Sequence, residues 1–317
     1  MIQWGIIGFG RIAERFMKGL SYSEDGKLYG VASRTKSKLD DLQAQHPQIH
    51  TYDNYEDMLN DDNIDAVYIA LRHQDHYHWA KEALLRNKAV LCEKPATLSY
   101  AQTKELCDLS KQKHTFFMEA MKTRFIPMTS EIKQIVKDGV IGDITRIENA
   151  FCSDVPYDEK SYLFEKEQGG AWYDVSIYNI ATILDFIKSP IKSIDVMCKK
   201  DYGVDVYDRV EVLFESGQTA LIECAIDRSQ PKSMTIYGTK GKIEAEPFYR
   251  PTSAVVSFGN GESFIGEKPY MFDDFYGEIE AVHESIAYIR EEHARMSHQD
   301  SLDCMKLMEM VKEKIDG

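Results

Sequence analysis

The chain has 317 residues, 43% of them hydrophobic, with 38 Lys and Arg against 52 Asp and Glu and a net charge of -14. This length exceeds the roughly 250 to 300 residues at which single cores stop growing, so two domains are expected. The acidic balance excludes non-specific binding to nucleic acid or anionic membranes, whose charge has the same sign. No apolar stretch reaches the roughly 18 residues of a membrane span, and Met1-Ile2-Gln3-Trp4 lacks a basic signal region, so the expected location is cytoplasmic. Cysteines at 92, 107, 152, 198, 224 and 304 form no C-x-x-C pair and read as reduced, buried thiols.

The first strand, 2–7, runs into Gly8-Phe9-Gly10-Arg11-Ile12-Ala13, and an amphipathic helix over 11–20 follows. In this G-x-G-x-x-A pattern Gly8 permits the tight turn, Gly10 lets the backbone approach a pyrophosphate, and Ala13 keeps the helix close to the strand. The helix amino terminus then favours an anion. Any glycine turn between strand and helix could look similar; the position and flanking elements favour a dinucleotide site, with Phe9, Arg11 and Ile12 among its contacts.

The second strand, 28–33, decides the cofactor. An NAD-type site usually ends it with Asp or Glu on the adenosine ribose. Here it ends Ala32-Ser33-Arg34-Thr35, with Lys36 and Lys38 beyond. A guanidinium, two hydroxyls and two ammonium groups could hold a phosphate, so the expectation is NADP(H) rather than NAD(H). The alternative is a solvated basic loop.

Further strands are expected at 50–52, 65–70, 88–92 and 115–119, with helices at 36–45, 54–60, 77–86 and 99–112. That alternation is a doubly wound parallel sheet, a Rossmann domain over 1–121, which binds its ligand beyond the strands' carboxyl ends. Gly10, Ser33, Ala70, Leu71 and Glu93-Lys94 fall at such ends. His73, His76 and His78 lie between a strand and a helix with only Asp75 as a nearby carboxylate, so no metal site is expected. His73 and His76 are grouped with the crevice. Cys92-Glu93-Lys94-Pro95 places a lysine at a strand's end, and the Lys94-Pro95 bond could be cis.

After Met121 the pattern changes. A helix at 128–137, a strand at 143–153 and a helix at 171–187 precede strands near 191–199, 206–215, 218–227, 232–238, 241–246 and 253–258. Helices at 274–293 and 300–315 close the chain. This reads as an α+β domain over 122–317, a large mainly antiparallel sheet with helices on one face. Runs such as Val210 to Phe214 and Leu221 to Ile226 suggest that a second subunit covers the other face, giving a homodimer or higher homo-oligomer.

With both halves in view the chain resembles the Gfo/Idh/MocA oxidoreductases over nearly its whole length. The carriers are Gly5 to Ala13, Val67-Tyr68-Ile69-Ala70, His76, Val90 to Pro95, Glu119-Ala120-Met121, Thr123-Arg124-Phe125 with Pro127, Gly169 to Asp174 with Tyr178, and Gly238-Thr239-Lys240-Gly241. Tyr178 stands where many members have His, which resembles the glucose-fructose oxidoreductase and dimeric dihydrodiol dehydrogenase branch. Leu71-Arg72-His73 and Lys122 depart from the family pattern at positions bordering the expected nicotinamide and substrate pocket.

The resemblance implies hydride transfer beside an acid/base. Tyr178 is the candidate; a free tyrosine has a pKa near ~10, which an adjacent ammonium lowers. Lys94 supplies that charge, and Asp174, four residues before Tyr178 on one expected helix, orients the substrate hydroxyl or Lys94. Glu93 fixes cofactor amides or the lysine, or sits in a structural ion pair. Arg124 touches cofactor or substrate, or bridges the domains. Tyr157 and Trp172 join Lys94, Asp174 and Tyr178 as expected substrate contacts. The expected activity is an NADP-dependent oxidoreductase acting on a hydroxyl or carbonyl of a sugar, polyol or related small molecule. The alternatives are an idle NADP(H)-binding sensor, or an enzyme with tightly held NAD that transfers hydride only transiently.

Overall fold

The computed structural model describes residues 1–317. They form two compact units, Met1–Met121 with Phe272–Leu302, and Lys122–Met271 with Asp303–Gly317.

In the first unit the strands are β1 (Ile2–Ile7), β2 (Gly26–Ala32), β3 (His50–Tyr52), β4 (Ala66–Ile69), β5 (Ala89–Glu93) and β6 (Phe117–Ala120). They alternate with helices α1 (Arg11–Leu20), α2 (Lys36–Gln45), α3 (Tyr55–Leu59), α4 (His73–Leu85) and α5 (Tyr100–Lys113). The strands lie in the order β3-β2-β1-β4-β5-β6, all parallel, so the direction of winding reverses between β1 and β4. Helices cover both faces of such a sheet, which is why β4 and most of β5 are continuously apolar and buried. Local signals set the helix starts. Asn54 accepts the Glu56 N–H at 2.8 Å and Ser99 accepts the Gln102 N–H at 3.2 Å, each relieving an unpaired donor of a first turn.

The second unit contains α6 (Pro127–Lys137), β7 (Ile144–Cys152), α7 (Ala171–Asp174) and α8 (Ser176–Phe186). There follow β8 (Ile191–Asp201), β9 (Val204–Phe214), β10 (Thr219–Ala225), β11 (Met234–Gly238), β12 (Gly241–Ala245), β13 (Ser253–Phe258) and β14 (Ser263–Glu267). One eight-stranded sheet runs β14-β13-β12-β11-β7-β10-β9-β8, antiparallel except for the β7–β10 pair. The edge strand β14 escaped the sequence pattern because Ser263 to Glu267 is short, mostly exposed and broken by Gly266.

Alternation along β9 sorts the two faces: Val206, Val210, Val212 and Phe214 are buried, whereas Tyr207, Arg209, Glu211 and Leu213 face outward. The outward face is not the apolar surface expected from the sequence runs. It carries an ion network, with Arg146 bonded to Glu148 at 2.6 Å and to Glu211 at 3.1 Å, and Arg209 bonded to Glu211 at 2.8 Å. Tyr207 donates to Glu223 at 2.6 Å and Tyr237 to Glu148 at 3.2 Å on the same surface. The apolar members of those runs were spent on the core, and only Leu213 and Leu221 among them stand half-exposed outside.

Two helices close the chain, α9 (Tyr276–Ala287) and α10 (His298–Asp316). The division at 121 and 122 expected from the sequence needs one correction, because residues 272–302 return to the first unit. There Arg15 pairs with Asp274 at 2.5 Å, Ser23 donates to Glu280 at 2.6 Å, and the Trp4 indole N–H donates to His283 Nε2 at 2.8 Å. The Phe117 N–H reaches the Glu291 carbonyl at 2.9 Å. Amphipathic spacing reveals that a helix buries one face; it does not say which core receives it.

Candidate active site

The first unit brings its sequence-predicted residues to the carboxyl ends of adjacent strands. Gly8 closes β1 with φ 89°, and a Cβ there would lie 2.4 Å from the Ala70 carbonyl at the end of β4, so only glycine fits. Gly10 differs. Its backbone is extended, with φ -109° and ψ -176°, and a Cβ would meet nothing within 4 Å. It precedes α1, whose first turn receives no side-chain cap. Open space over unpaired amide donors, bounded by Phe9, Arg11 and Ile12, suits the pyrophosphate of a dinucleotide.

At the end of β2, Ser33 is buried and its Oγ accepts the Thr35 N–H at 3.1 Å. Lys38 donates to the Phe9 carbonyl at 2.8 Å, tying this loop to the glycine turn. Arg34 is 70% exposed, lies over the Tyr55 ring at 5.9 Å and stands 3.6 Å from Asp75. Arg34, Thr35 and Lys38 are exposed cationic or hydroxyl-bearing groups beside the buried Ser33, the chemistry that suits a 2′-phosphate.

The β4 and β5 ends are joined by a histidine. His76 is buried, with Nδ1 2.8 Å from the Pro95 carbonyl and Nε2 3.1 Å from the Leu71 carbonyl. Burial holds its pKa below the ordinary value. Both ring nitrogens face backbone carbonyls, so His76 ties the loop after β4 to the loop after β5. The neighbouring His73 is buried too, 5.9 Å away between ring centres. Glu93 accepts from the Tyr68 hydroxyl, and its other oxygen lies 3.3 Å from the Lys94 N–H. The Tyr68 ring is stacked on Phe16 at 3.9 Å, so α1 buttresses the carboxylate beside Lys94. The Lys94–Pro95 bond is cis, and Glu119, itself buried, accepts the Ala96 N–H at 2.9 Å and anchors the turn.

The second unit presents Asp174 and Tyr178. They do not share one continuous helix, as expected from the sequence, because the chain breaks at Val175, with φ -113° and ψ -25°, between α7 and α8. Four-residue spacing therefore does not place them on one helical face. Asp174 accepts the Tyr162 hydroxyl at 3.2 Å. Tyr178 is 8% exposed and lies parallel to Phe151 at 5.6 Å, with Tyr249 at 5.7 Å. Arg124 is buried and donates to the Ala181 carbonyl at 3.0 Å, within the helix that carries Tyr178. Thr123 donates to the Tyr249 carbonyl at 2.9 Å, bracing the same aromatic group.

Trp172 requires a correction. Expected at the substrate, it is fully buried, and its indole N–H donates to the Met308 carbonyl at 3.0 Å, so it anchors α7 to α10 within the core. Tyr157 is 51% exposed and stacks on Tyr202 at 4.2 Å.

Sequence reasoning missed Asp205. It is buried, accepts the Trp172 N–H at 2.7 Å and receives Lys312 at 3.0 Å. A Cβ on Gly170, where φ is 91°, would meet its carboxylate at 2.5 Å, and one on Gly169 would meet the Leu163 carbonyl at 2.4 Å. The glycine pair thus admits Asp205 and the preceding loop to the start of α7. Asp208, also buried, has its pKa pushed up to about 8 by burial and by the Asp205 charge. The available signal was a pair of acidic residues, Asp205 and Asp208, among the valines that β9 buries.

The chain is similar to known proteins over most of its length. Trans-1,2-dihydrobenzene-1,2-diol dehydrogenase from Mus musculus is 28% identical over 86% of this chain and 82% of its own. The protein of that name from Danio rerio is 26% identical over 99% and 97%. Among solved structures, KijD10, a 3-ketoreductase from Actinomadura kijaniata in complex with NADP and TDP-benzene, superposes with a TM-score of 0.89 at 22% identity, covering 98% of this chain and 97% of that one. Aldose-aldose oxidoreductase from Caulobacter crescentus, complexed with glycerol, gives 0.89 at 20% identity over 98% and 96%. These structural likenesses establish the fold. Residues 2–121 match the oxidoreductase family with an NAD-binding Rossmann fold and 129–244 match the GFO/IDH/MocA C-terminal domain, and with both domains matched the chain belongs to the Gfo/Idh/MocA oxidoreductase family.

Proposed function

We propose that the protein is an NADP-dependent oxidoreductase acting on a hydroxyl or carbonyl carbon of a sugar, polyol or related small molecule. The observation that carries this reading is the row of strand ends in the first unit. Open space at Gly10, the Ser33-Arg34-Thr35 end of β2 with Lys38, and Lys94 at the end of β5 together offer a dinucleotide seat with a cation beside it. The relatives named as dehydrogenases of a cyclic diol, and the structural neighbour holding NADP, point the same way.

Bound NADP(H) would supply or accept the hydride. Tyr178 would hold the proton that the substrate oxygen gains or loses, and Lys94 would favour the phenolate and hold that oxygen. Asp174 would accept a hydroxyl of the substrate, fixing its orientation. Glu93, braced by Tyr68, would set the position of the lysine's strand end. Ser33, Arg34, Thr35 and Lys38 would take the 2′-phosphate.

A screen of carbonyls and polyols followed at 340 nm tests the activity, with NADPH favoured over NADH. A protein that binds NADPH tightly and turns over none of them would be a sensor instead. The outward face of the sheet, tyrosine-rich and ionic rather than apolar, we assign to a homodimer or higher homo-oligomer. Light scattering at micromolar concentration should give at least about twice the 36.4 kDa chain mass.

A further inference from the structure

Between β7 and α7 the chain makes a long excursion, in which Tyr157 is the one residue expected from the sequence to meet substrate. Its start is stitched to the sheet, where Ser153 and Val155 N–H groups donate to the Ala225 and Ile226 carbonyls at 3.0 and 2.9 Å. Its end is stitched to the glycine pair, where the Gly170 N–H donates to the Leu163 carbonyl at 2.8 Å. Between these anchors it carries Tyr157, Tyr162 and Phe164.

Tyr157 lies flat on Tyr202, with ring centres 4.2 Å apart and planes at 16°. Phe164 meets both rings edge-on, at 5.0 and 5.8 Å. Tyr202 belongs to the two-residue turn between β8 and β9 and has φ 52°, followed by Gly203 at 85°. Such turns favour Asn-Gly, and a bulky side chain in the left-handed region is disfavoured. The ring is 55% exposed, so burial does not account for a tyrosine at this position. Its contacts are with the excursion. The Tyr162 hydroxyl, in turn, donates to Asp174 Oδ1 at 3.2 Å.

We propose that Tyr162 is a positioning residue for Asp174, and that residues 154–165 form a strap, held shut by the Tyr157–Phe164–Tyr202 clasp, that governs how a substrate hydroxyl meets that carboxylate. The inference rests on the assignment of Asp174 to the substrate made above. A carboxylate accepts hydrogen bonds at several positions, and filling one from Tyr162 fixes the plane of the carboxyl group and the direction in which a substrate hydroxyl can approach. The backbone strain at Tyr202 is sustained by the clasp, as expected where a conformation is kept for what its side chain reaches.

Two measurements on the whole protein test this. Trypsin cleavage after the exposed Lys160 and Lys166 reads strap opening without any substrate. Tyr202→Asn restores the residue type the turn prefers, so its thermal midpoint should hold or rise while cleavage quickens about threefold to tenfold, the loss of a ring stack. Tyr162→Phe should likewise quicken cleavage with its midpoint unchanged. On the carbonyl found in the 340 nm screen, Tyr162→Phe should raise KM about tenfold, as for a lost hydrogen bond to a charged group, with kcat within about threefold of the parent. Parental cleavage rates in both variants overturn the strap, and a parental KM in Tyr162→Phe overturns the positioning role. If the parent turns over no carbonyl, the assignment of function fails by itself, and the cleavage rates alone decide the strap.

Discussion

Two glycine motifs of this chain look alike in sequence and serve opposite purposes. At Gly10 the missing side chain leaves space that no atom of the protein fills; at Gly169 and Gly170 the space is taken by the Leu163 carbonyl and the Asp205 carboxylate. The first is shaped for a ligand, the second for the protein's own polar groups. The same division runs through the proposed chemistry. The first unit would hold the cofactor partly with exposed groups such as Arg34, and the second would set Tyr178 against the buried Phe151 ring.

The largest effect should come from the proposed chemistry of α8. Tyr178→Phe keeps the ring stacked on Phe151 but removes the proton carrier, and should lower kcat by ~10² to 10⁴ with NADPH affinity near parental. Lys94→Met should cost a similar factor, and the double variant little more than either, because groups acting as a unit are not additive. Steady-state kinetics on the identified substrate decide this, and parental turnover in Tyr178→Phe would falsify the assignment.

The glycine comparison itself can be broken by exchanging one methyl group at each site. Gly170→Ala forces a left-handed alanine against Asp205 and should cost about 2 to 4 kcal/mol in a denaturant melt. Gly10→Ala should leave the melt unchanged and weaken NADPH on the order of tenfold, because its Cβ enters the ligand's space. Arg34→Ala sharpens the ligand side: NADPH should weaken by about 1.5 to 3 kcal/mol while NADH changes little, read by fluorescence titration. A destabilised Gly10→Ala with normal NADPH binding would reverse the comparison.

The smallest effect concerns pH. Asp208 has a folded pKa near 8, raised by burial and the Asp205 charge above an unfolded value near ~4. The folded state therefore binds the extra proton between these values, and the resulting stability is present at low pH and lost as pH rises through about 8. Thermal midpoints should fall between about pH 5 and 8 in the parent and level off above, and Asp208→Asn should flatten that decline.

Much of the first unit was legible because a parallel sheet writes itself as apolar runs separated by helices, and strand ends then locate a crevice. Gly8, Gly10, Ser33 and Lys94 stand where that pattern puts them. The second unit was less legible. The Val175 break lies inside an apolar run, Ala171 to Ile187, whose burial on nearly every side removes the period that marks a helix face. Trp172 was misplaced for a related reason: a motif identifies a residue, but whether its ring faces a ligand or α10 depends on packing from a segment 136 positions away. Asp205 could not be assigned without knowing that β9 turns it toward α7. The return of 272–302 is of the same kind, a long-range choice between two cores.

That return has a consequence for dissecting the molecule. The cofactor-binding body is discontinuous in the chain, Met1–Met121 plus Phe272–Leu302, with the second unit's main segment threaded between the two pieces. A truncation at Met121 would strip away Asp274, Glu280 and His283 and leave Arg15, Ser23 and the Trp4 indole without the partners they hold in the intact chain. A minimal dinucleotide-binding fragment is therefore a two-piece object, obtained by splicing out the interior rather than by shortening an end, or by co-expressing both pieces for complementation.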